Sequence, residues 1–331
     1  MMIELGIIGA GRMGNAHAHE LEKLAGVRIA GVYDIKPEAA HAMHQQYGAT
    51  IYQSAKALAE APNINGVLIC SPTYCHPEGV AAALQANKAI FCEKPLCRTK
   101  KDAEELLAAG RAANTIFAVG FVRRYMAKTL HVKKILAEGL LGKIRFCNVD
   151  LPLGIYKRMP GDWFTEFDLC GGVILDMLAH HVDLTNWFFG PVERVYADSL
   201  LLDKSQPEPA DYVSSTITYR SGVIVNVMCN WQRFGRSGEM MEIYGENGAI
   251  VMDGSDDLTY YPKGKEKQVI PIDGPSGHQQ QMKAFVAAIR GEGVPTATLQ
   301  DGYNSLAVGL AMIESCQTHQ VVEMLTEEPI A

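Results

Sequence analysis

Basic runs, long apolar runs and paired cysteines are all missing from this chain of 331 residues. No run of lysine and arginine is longer than a pair, and the formal net charge is -7. That balance excludes the electrostatic footprint of a nucleic-acid binder or of a protein held on an anionic surface. Nowhere do the roughly 18 consecutive apolar residues of a membrane span occur. The opening residues, MMIELGIIGAGRMG, have no basic segment, no long apolar segment and no small-residue cleavage site, so a cytoplasmic location is expected. The eight cysteines form no CxxC pair of the kind zinc or redox chemistry uses, and are expected as small core thiols in a reducing compartment. Repeats and low-complexity tracts are also absent.

What remains is a folded composition, 48% apolar and 20% charged, of a length that suits about two domains. Residues 3–8 read as a buried strand, and a glycine-rich turn leads from them into a helix over about 13–24. Strand 27–34 and a helix from Pro37 to about Tyr47, with Gly48 placed to cap it, come next. Helices near 55–61, 77–86 and 100–113 then alternate with strands 66–71, 89–93 and 116–120. This alternation implies a doubly wound parallel sheet with right-handed crossovers. After Gly120 the pattern changes. A helix near 127–138, strand 143–150 and an irregular stretch lead to a helix carrying DMLAHHVD (176–183). From 192 the period becomes two, and strands 212–219, 222–231 and 240–253 read as antiparallel, joined by turns such as RSG and ENG. PEPAD (207–211) reads as a loop, and helices near 278–290 and 301–318 finish the chain. The expected division is a dinucleotide-binding domain over 1–121 and a second α/β domain over 122–331.

The glycine turn is GAGRMG. Gly9 suits the tight turn, Gly11 lets a pyrophosphate approach the backbone, and Gly14 lets the helix pack closely, with the N-terminal amides favouring an anion. Arg12 and Met13 complete this cofactor-binding set. Asp34 closes the second strand where a carboxylate meets the adenosine ribose. It would repel a 2'-phosphate, Ile35 offers no guanidinium, and Lys36 is the one adjacent cation, so NAD is expected over NADP.

FCEKP (91–95) stands at the carboxyl end of a strand, where doubly wound sheets bind ligands. Glu93-Lys94-Pro95 reads in isolation as an ion pair before a proline. At this position Glu93 and Lys94 border the cofactor, and a lysine there orients a hydroxyl and stabilises charge developing on its oxygen. Ser71 and Pro72 end the preceding strand and face the same edge. His76 either caps the next helix or touches nicotinamide.

In DMLAHHVD, an α-helix advancing roughly 100 degrees per residue puts Asp176, His180 and Asp183 on one face and His181 about 100 degrees from His180. The two histidines therefore do not enter one cleft, and no metal is expected. Either His180 takes a hydroxyl proton beside Asp176, or the helix carries a satisfied polar edge.

Together, GIIGAGRMG, Asp34, FCEKPL, GFVRRY (120–125) and GGVILDMLAHHVDLTNWFFG (171–190) resemble the glucose-fructose oxidoreductase, inositol dehydrogenase and MocA family over essentially the whole chain. The resemblance implies a Rossmann domain followed by an α/β domain with a large, mostly antiparallel open sheet, often used for a homodimer or homotetramer. It also implies hydride transfer between NAD(P) and a secondary alcohol of a sugar or cyclitol. By motif, the catalytic set is Lys94, Asp176 and His180, with a cis Lys94-Pro95 bond. Arg123, Asp183 and Trp163 are the substrate candidates, the last as a sugar-stacking wall or a loop residue that covers the domain junction. KIRFCNVD (143–150) lacks the histidine of inositol-specific relatives, so the reaction class is implied more firmly than inositol. The alternatives are a reductase or oxidase of a nucleotide-linked or 3-keto sugar, and a non-catalytic NAD-binding regulator.

Overall fold

Short apolar runs punctuated by glycine and proline become the strands of a parallel sheet in the computed structural model, which describes residues 2–113, 115–153, 162–202, 211–231 and 238–324. In chain order the elements are β1 (Ile3–Ile8), α1 (Arg12–Glu22), β2 (Val27–Tyr33), α2 (Pro37–Tyr47), β3 (Thr50–Ile51), α3 (Ala55–Glu60), β4 (Gly66–Ile69), α4 (His76–Gln85), β5 (Ala89–Cys92), α5 (Lys100–Ala113) and β6 (Phe117–Val119). The sheet order is β3-β2-β1-β4-β5-β6, and every pairing is parallel. The order reverses between β1 and β4, which makes the crevice beyond their carboxyl ends the ligand position of this architecture. Gly48 ends α2 in the left-handed conformation, φ 70°, as its sequence position predicts. The two-residue strand β3 carries no readable period and was not expected.

Contacts divide the chain into two compact units, Met1–Tyr125 with Pro275–Leu306 and Met126–Gly274 with Ala307–Ala331. The segment 275–306, read from sequence with the C-terminal half, thus joins the first. The reason is its apolar stripe: Met282, Phe285 and Val286 are buried in one cluster with Ile3, Leu5, Leu21 and Phe91. Each such side chain contributes about 1.5–3 kcal/mol on burial.

The second unit contains α6 (Ala127–Ala137), β7 (Ile144–Pro152), α7 (Phe167–Cys170), a π-helical turn (Ile174–Leu178), α8 (Ala179–Phe189), β8 (Val192–Leu200), β9 (Tyr212–Tyr219), β10 (Ile224–Asn230), β11 (Met240–Gly245), β12 (Gly248–Met252), β13 (Asp257–Pro262), β14 (Gln268–Pro271) and β15 (Val322–Glu323). Among the described residues its nine strands run β14-β13-β12-β11-β7-β10-β9-β8-β15, with β7 and β10 the only parallel pair and the other pairings antiparallel. Alternation decides the faces: Cys147, Val149, Leu151, Val225, Val227, Cys229, Val213 and Ile217 are buried, while Phe146 and Ile224 point to the open side. On the buried side, Tyr219 of β9 donates its hydroxyl proton to α8, with Thr185 Oγ1 at 2.7 Å and Asn186 Oδ1 at 3.0 Å. Residues 207–210 of the PEPAD loop and 154–161 of the irregular stretch before the DMLAHHVD helix lie outside the described residues. Two further helices, α9 (Gly277–Ile289) and α10 (Leu299–Thr318), stand between β14 and β15.

Candidate active site

The glycine turn between β1 and α1 is built by three separate constraints. Gly9 has φ 93°, and a Cβ there would fall 2.5 Å from Ser71 N, so the loops after β1 and β4 meet at this glycine. A Cβ on Gly14 would lie 2.1 Å from Gly9 O, which is the close packing its position predicts. A Cβ on Gly11 would meet nothing within 4 Å. That open space stands at the N-cap of α1, where no side chain caps the helix and the first turn, which includes Arg12 and Met13, holds no acid. The unmet N–H groups and the helix dipole there suit a phosphate. Asn15 Nδ2 secures the turn by donating to Ala10 O at 2.7 Å and Gly11 O at 2.9 Å.

Asp34 follows β2 and is tied to the same turn: Oδ2 accepts from Ala10 N at 2.7 Å and Oδ1 from Lys36 N at 2.8 Å. These bonds fix the carboxylate, and each oxygen keeps a lone pair for a hydroxyl. Ser71 Oγ is buried with no hydrogen-bond partner among the described residues. An open glycine, an uncapped helix start, a fixed carboxylate and an unmet hydroxyl fit a dinucleotide.

At the end of β5 the Lys94-Pro95 peptide is cis, as the resemblance implied. Glu93 is 8% exposed; its Oε1 accepts from His17 Nε2 at 2.6 Å and its Oε2 from Lys94 N at 3.1 Å. Burial alone would push this carboxyl up, but the hydrogen bond and charge of His17, with Lys94 beside it, hold it below the usual range. His76 is the first residue of α4, not its cap, and is buried. Its Nδ1 lies 2.9 Å from Pro95 O and its Nε2 2.9 Å from Ser71 O. Burial pushes this imidazole down, outweighing the two carbonyls that favour its charged form. Neutral, it donates to one carbonyl at a time and ties the β4 and β5 loops together. Burial also drives the Cys70 and Cys92 thiols well up, which removes them as nucleophiles near neutral pH.

The GFVRRY arginines part company. Arg124 is 2% exposed and committed to the fold, donating to Thr296 O at 2.7 Å and to Asp301 Oδ1 at 2.9 Å. Arg123 is half-buried in the same short 3-10 turn.

In the second unit the DMLAHHVD segment departs from the expected α-helix. Ile174–Leu178 is a π-helical turn, continuous with α8. Such turns recur at functional sites, and their wider winding rotates each residue less than the roughly 100 degrees of an α-helix. Asp176 and His180, four apart, are thereby brought closer to alignment. From Gly171 to Thr185 only Asp176, Met177 and His180 escape burial. His181 is buried, with Nε2 3.8 Å from Glu239 Oε2, so the histidines separate as helix geometry requires. Asp183 has no exposed surface. The π-helical turn that carries Asp176 packs against β10, whose Cys229 thiol is pushed up by burial and further by the Asp176 and Asp150 carboxylates. Trp163 is half-buried in a short 3-10 turn and stacks on Phe164 at 3.8 Å. Among the described residues no three His, Cys, Asp or Glu side chains gather as metal ligands.

Sequence reasoning passed over His17. It lies three residues from Gly14 and four from Leu21, so a polar side chain on the apolar stripe of α1 was the available signal.

Comparison with known proteins agrees with this geometry. Residues 3–121 match the model of the oxidoreductase family with an NAD-binding Rossmann fold, and 129–251 match the GFO/IDH/MocA C-terminal domain. Relatives include a myo-inositol 2-dehydrogenase of Thermotoga maritima, 26% identical over 97% of this chain and 98% of that one. A 1,5-anhydro-D-fructose reductase of Ensifer adhaerens is 28% identical, with the same coverage. The fold is shared with an oxidoreductase domain protein from Kribbella flavida, TM-score 0.90 at 24% identity over 98% of this chain and 99% of that one. With its glycine turn, its EKP edge and both domain models matched, the chain belongs to the GFO/IDH/MocA family of NAD-binding oxidoreductases.

Proposed function

We propose that this protein is an NAD-dependent dehydrogenase of a secondary alcohol on a sugar or cyclitol, with Lys94, Asp176 and His180 as its catalytic residues. One observation carries the assignment: in a helix otherwise buried from Gly171 to Thr185, the side chains left accessible include a carboxylate and an imidazole four residues apart. The names of the myo-inositol and anhydrofructose relatives support the substrate class.

Gly9, Gly11, Arg12, Met13, Gly14, Asp34, Ser71 and Pro72 would hold the dinucleotide, and when bound it accepts the hydrogen and electron pair of an alcohol carbon. Asp34, held in place by two amides, favours NAD over NADP. His180 takes the hydroxyl proton, Lys94 stabilises the negative charge that grows on the same oxygen, and Asp176 orients substrate and base. Arg123 and Trp163 are the proposed substrate contacts. Asp183, wholly buried, supports the helix that carries His180, and His76 and Glu93 shape the cofactor edge.

The absence of disulfides among the eight cysteines supports a reducing, cytoplasmic setting. No helix among the described residues is long and apolar enough to cross a membrane. Apolar side chains on the open sheet face, Phe146 at 39% and Ile224 at 43% exposure, support a homodimer or homotetramer.

The test is NAD reduction, followed by absorbance, across a panel of cyclitols, anhydro sugars and free sugars. On the best substrate, His180→Ala and Lys94→Ala are expected to lower kcat by about 10²- to 10⁴-fold with NAD affinity retained. Full turnover in either variant overturns that residue's role. Tight NAD binding with no turnover on any panel member would favour the non-catalytic regulator.

A further inference from the structure

Lys94 is flanked by two buried histidines, neither of which touches substrate in the proposed reaction. On the amide side, His17 is fully buried on α1, edge-on to Phe91 with ring centroids 4.9 Å apart and 5.9 Å from the ring of His278. It reaches the lysine peptide through Glu93, whose second oxygen accepts the Lys94 N–H. Space for that carboxylate is reserved by Gly120, where a Cβ would fall 2.8 Å from Oε2. On the carbonyl side, His76 stands between Pro95 O and Ser71 O, a ring nitrogen 2.9 Å from each, and donates to one of them at a time.

A buried carboxylate is costly unless its oxygens are met, and an apolar residue at 17 would pack against Phe91 with less expense of desolvation. The imidazole-carboxylate pair instead supplies direction. An amine on a flexible four-carbon stem reaches a fixed point only when the peptide that bears it is fixed. We propose that His17 is a positioning residue, which through Glu93 holds the Lys94 peptide from its N–H side while His76 holds the following carbonyl. This rests on the role assigned above to Lys94.

The hydrogen bond is separated from mere volume by two amides. The side-chain nitrogen of Gln reaches the place of histidine Nε2, whereas that of Asn reaches only Nδ1. His17→Gln, His17→Asn, Glu93→Ala and Lys94→Ala are each measured for hydrogen-deuterium exchange at the Lys94 amide, for NAD affinity by calorimetry, and for kcat and KM on the panel substrate that the wild type turns over fastest. His17→Asn is expected to speed Lys94 exchange and lower kcat by about tenfold or more, with the NAD Kd changed less than about threefold, and Glu93→Ala to speed the same exchange. His17→Gln is expected to stay within about threefold of wild type in both.

Wild-type exchange and kcat in His17→Asn, or equal impairment of the Gln and Asn variants, would overturn the proposal. The exchange arm needs no substrate, and if His17→Asn does not fold, His17→Met, which keeps the bulk and cannot donate, carries the same decision. Full turnover in Lys94→Ala would sink the catalytic reading alone, with exchange still deciding whether His17 holds the peptide.

Discussion

At Asp34 a single carboxylate links the glycine turn to cofactor choice, because the oxygens that would meet ribose hydroxyls are fixed by Ala10 N and Lys36 N. Asp34→Ala is expected to weaken NAD binding about 10- to 100-fold, the worth of charge-assisted hydrogen bonds, and to narrow the gap to NADP, both by calorimetry. Protonation gives a second prediction at this scale. Burial holds the His76 imidazole down, so as pH falls through its ordinary value of 6.5 the unfolded chain takes up a proton that the folded chain refuses. The half-buried His278, also pushed down by burial, adds to the effect. Glu93 is held below its ordinary value of 4.5, so its stabilisation is present above that pH and is lost on further acidification. The melting temperature should therefore fall in two stages on acidification, and His76→Gln should shrink the first. A melting temperature flat from pH 7 to 5 would contradict this. The glycines and Asp34 were legible from sequence because a turn and a strand end are local. The His17–Glu93 bond was not, since it joins residues on different elements that only the folded sheet brings together.

Among the elements, the π-helical turn is one that composition could not announce. Asp176 and His180 were expected on one face at α-helical spacing; they are the accessible edge, but Asp176 stands on the π-helical turn and His180 in the α-helix that continues it. Deleting Met177 should return the segment to α-helical winding and alter the relation of Asp176 to His180. We expect retained circular dichroism and NAD binding, with turnover reduced about 100-fold, the scale of misplaced acid-base groups. Unchanged turnover would show that the turn does not set their alignment. The helix α9 illustrates the converse. Its period was visible, but which sheet it covers was not, because an apolar stripe specifies that something must be covered and not what. Phe285 lies against Phe91, ring centroids 5.8 Å apart, and Phe285→Ala should destabilise the protein by about 3–5 kcal/mol, measured by denaturant unfolding.

On the scale of the whole molecule, the open face of the second sheet bears Phe146 stacked on Tyr244, centroids 4.5 Å apart, with Ile224 exposed. Light scattering is expected to give a multiple of the 36.2 kDa chain, and Ile224→Glu should shift it towards the monomer. A wild-type monomer at micromolar concentration would overturn the assembly proposal. By itself the sequence determined the two kinds of sheet, the glycine turn, the acid after β2, the lysine edge and the division of the two histidines. These follow from period, turn chemistry and helix winding, which act over a few residues. Tertiary structure alone decided the strand order, the parallel join of β7 to β10, the sheet that α9 covers, the choice of Arg124 and not Arg123 as the buried arginine, and the pairing of His17 with Glu93. Those outcomes depend on which apolar surfaces and buried charges meet after the chain has turned back on itself, and no local pattern encodes the partner.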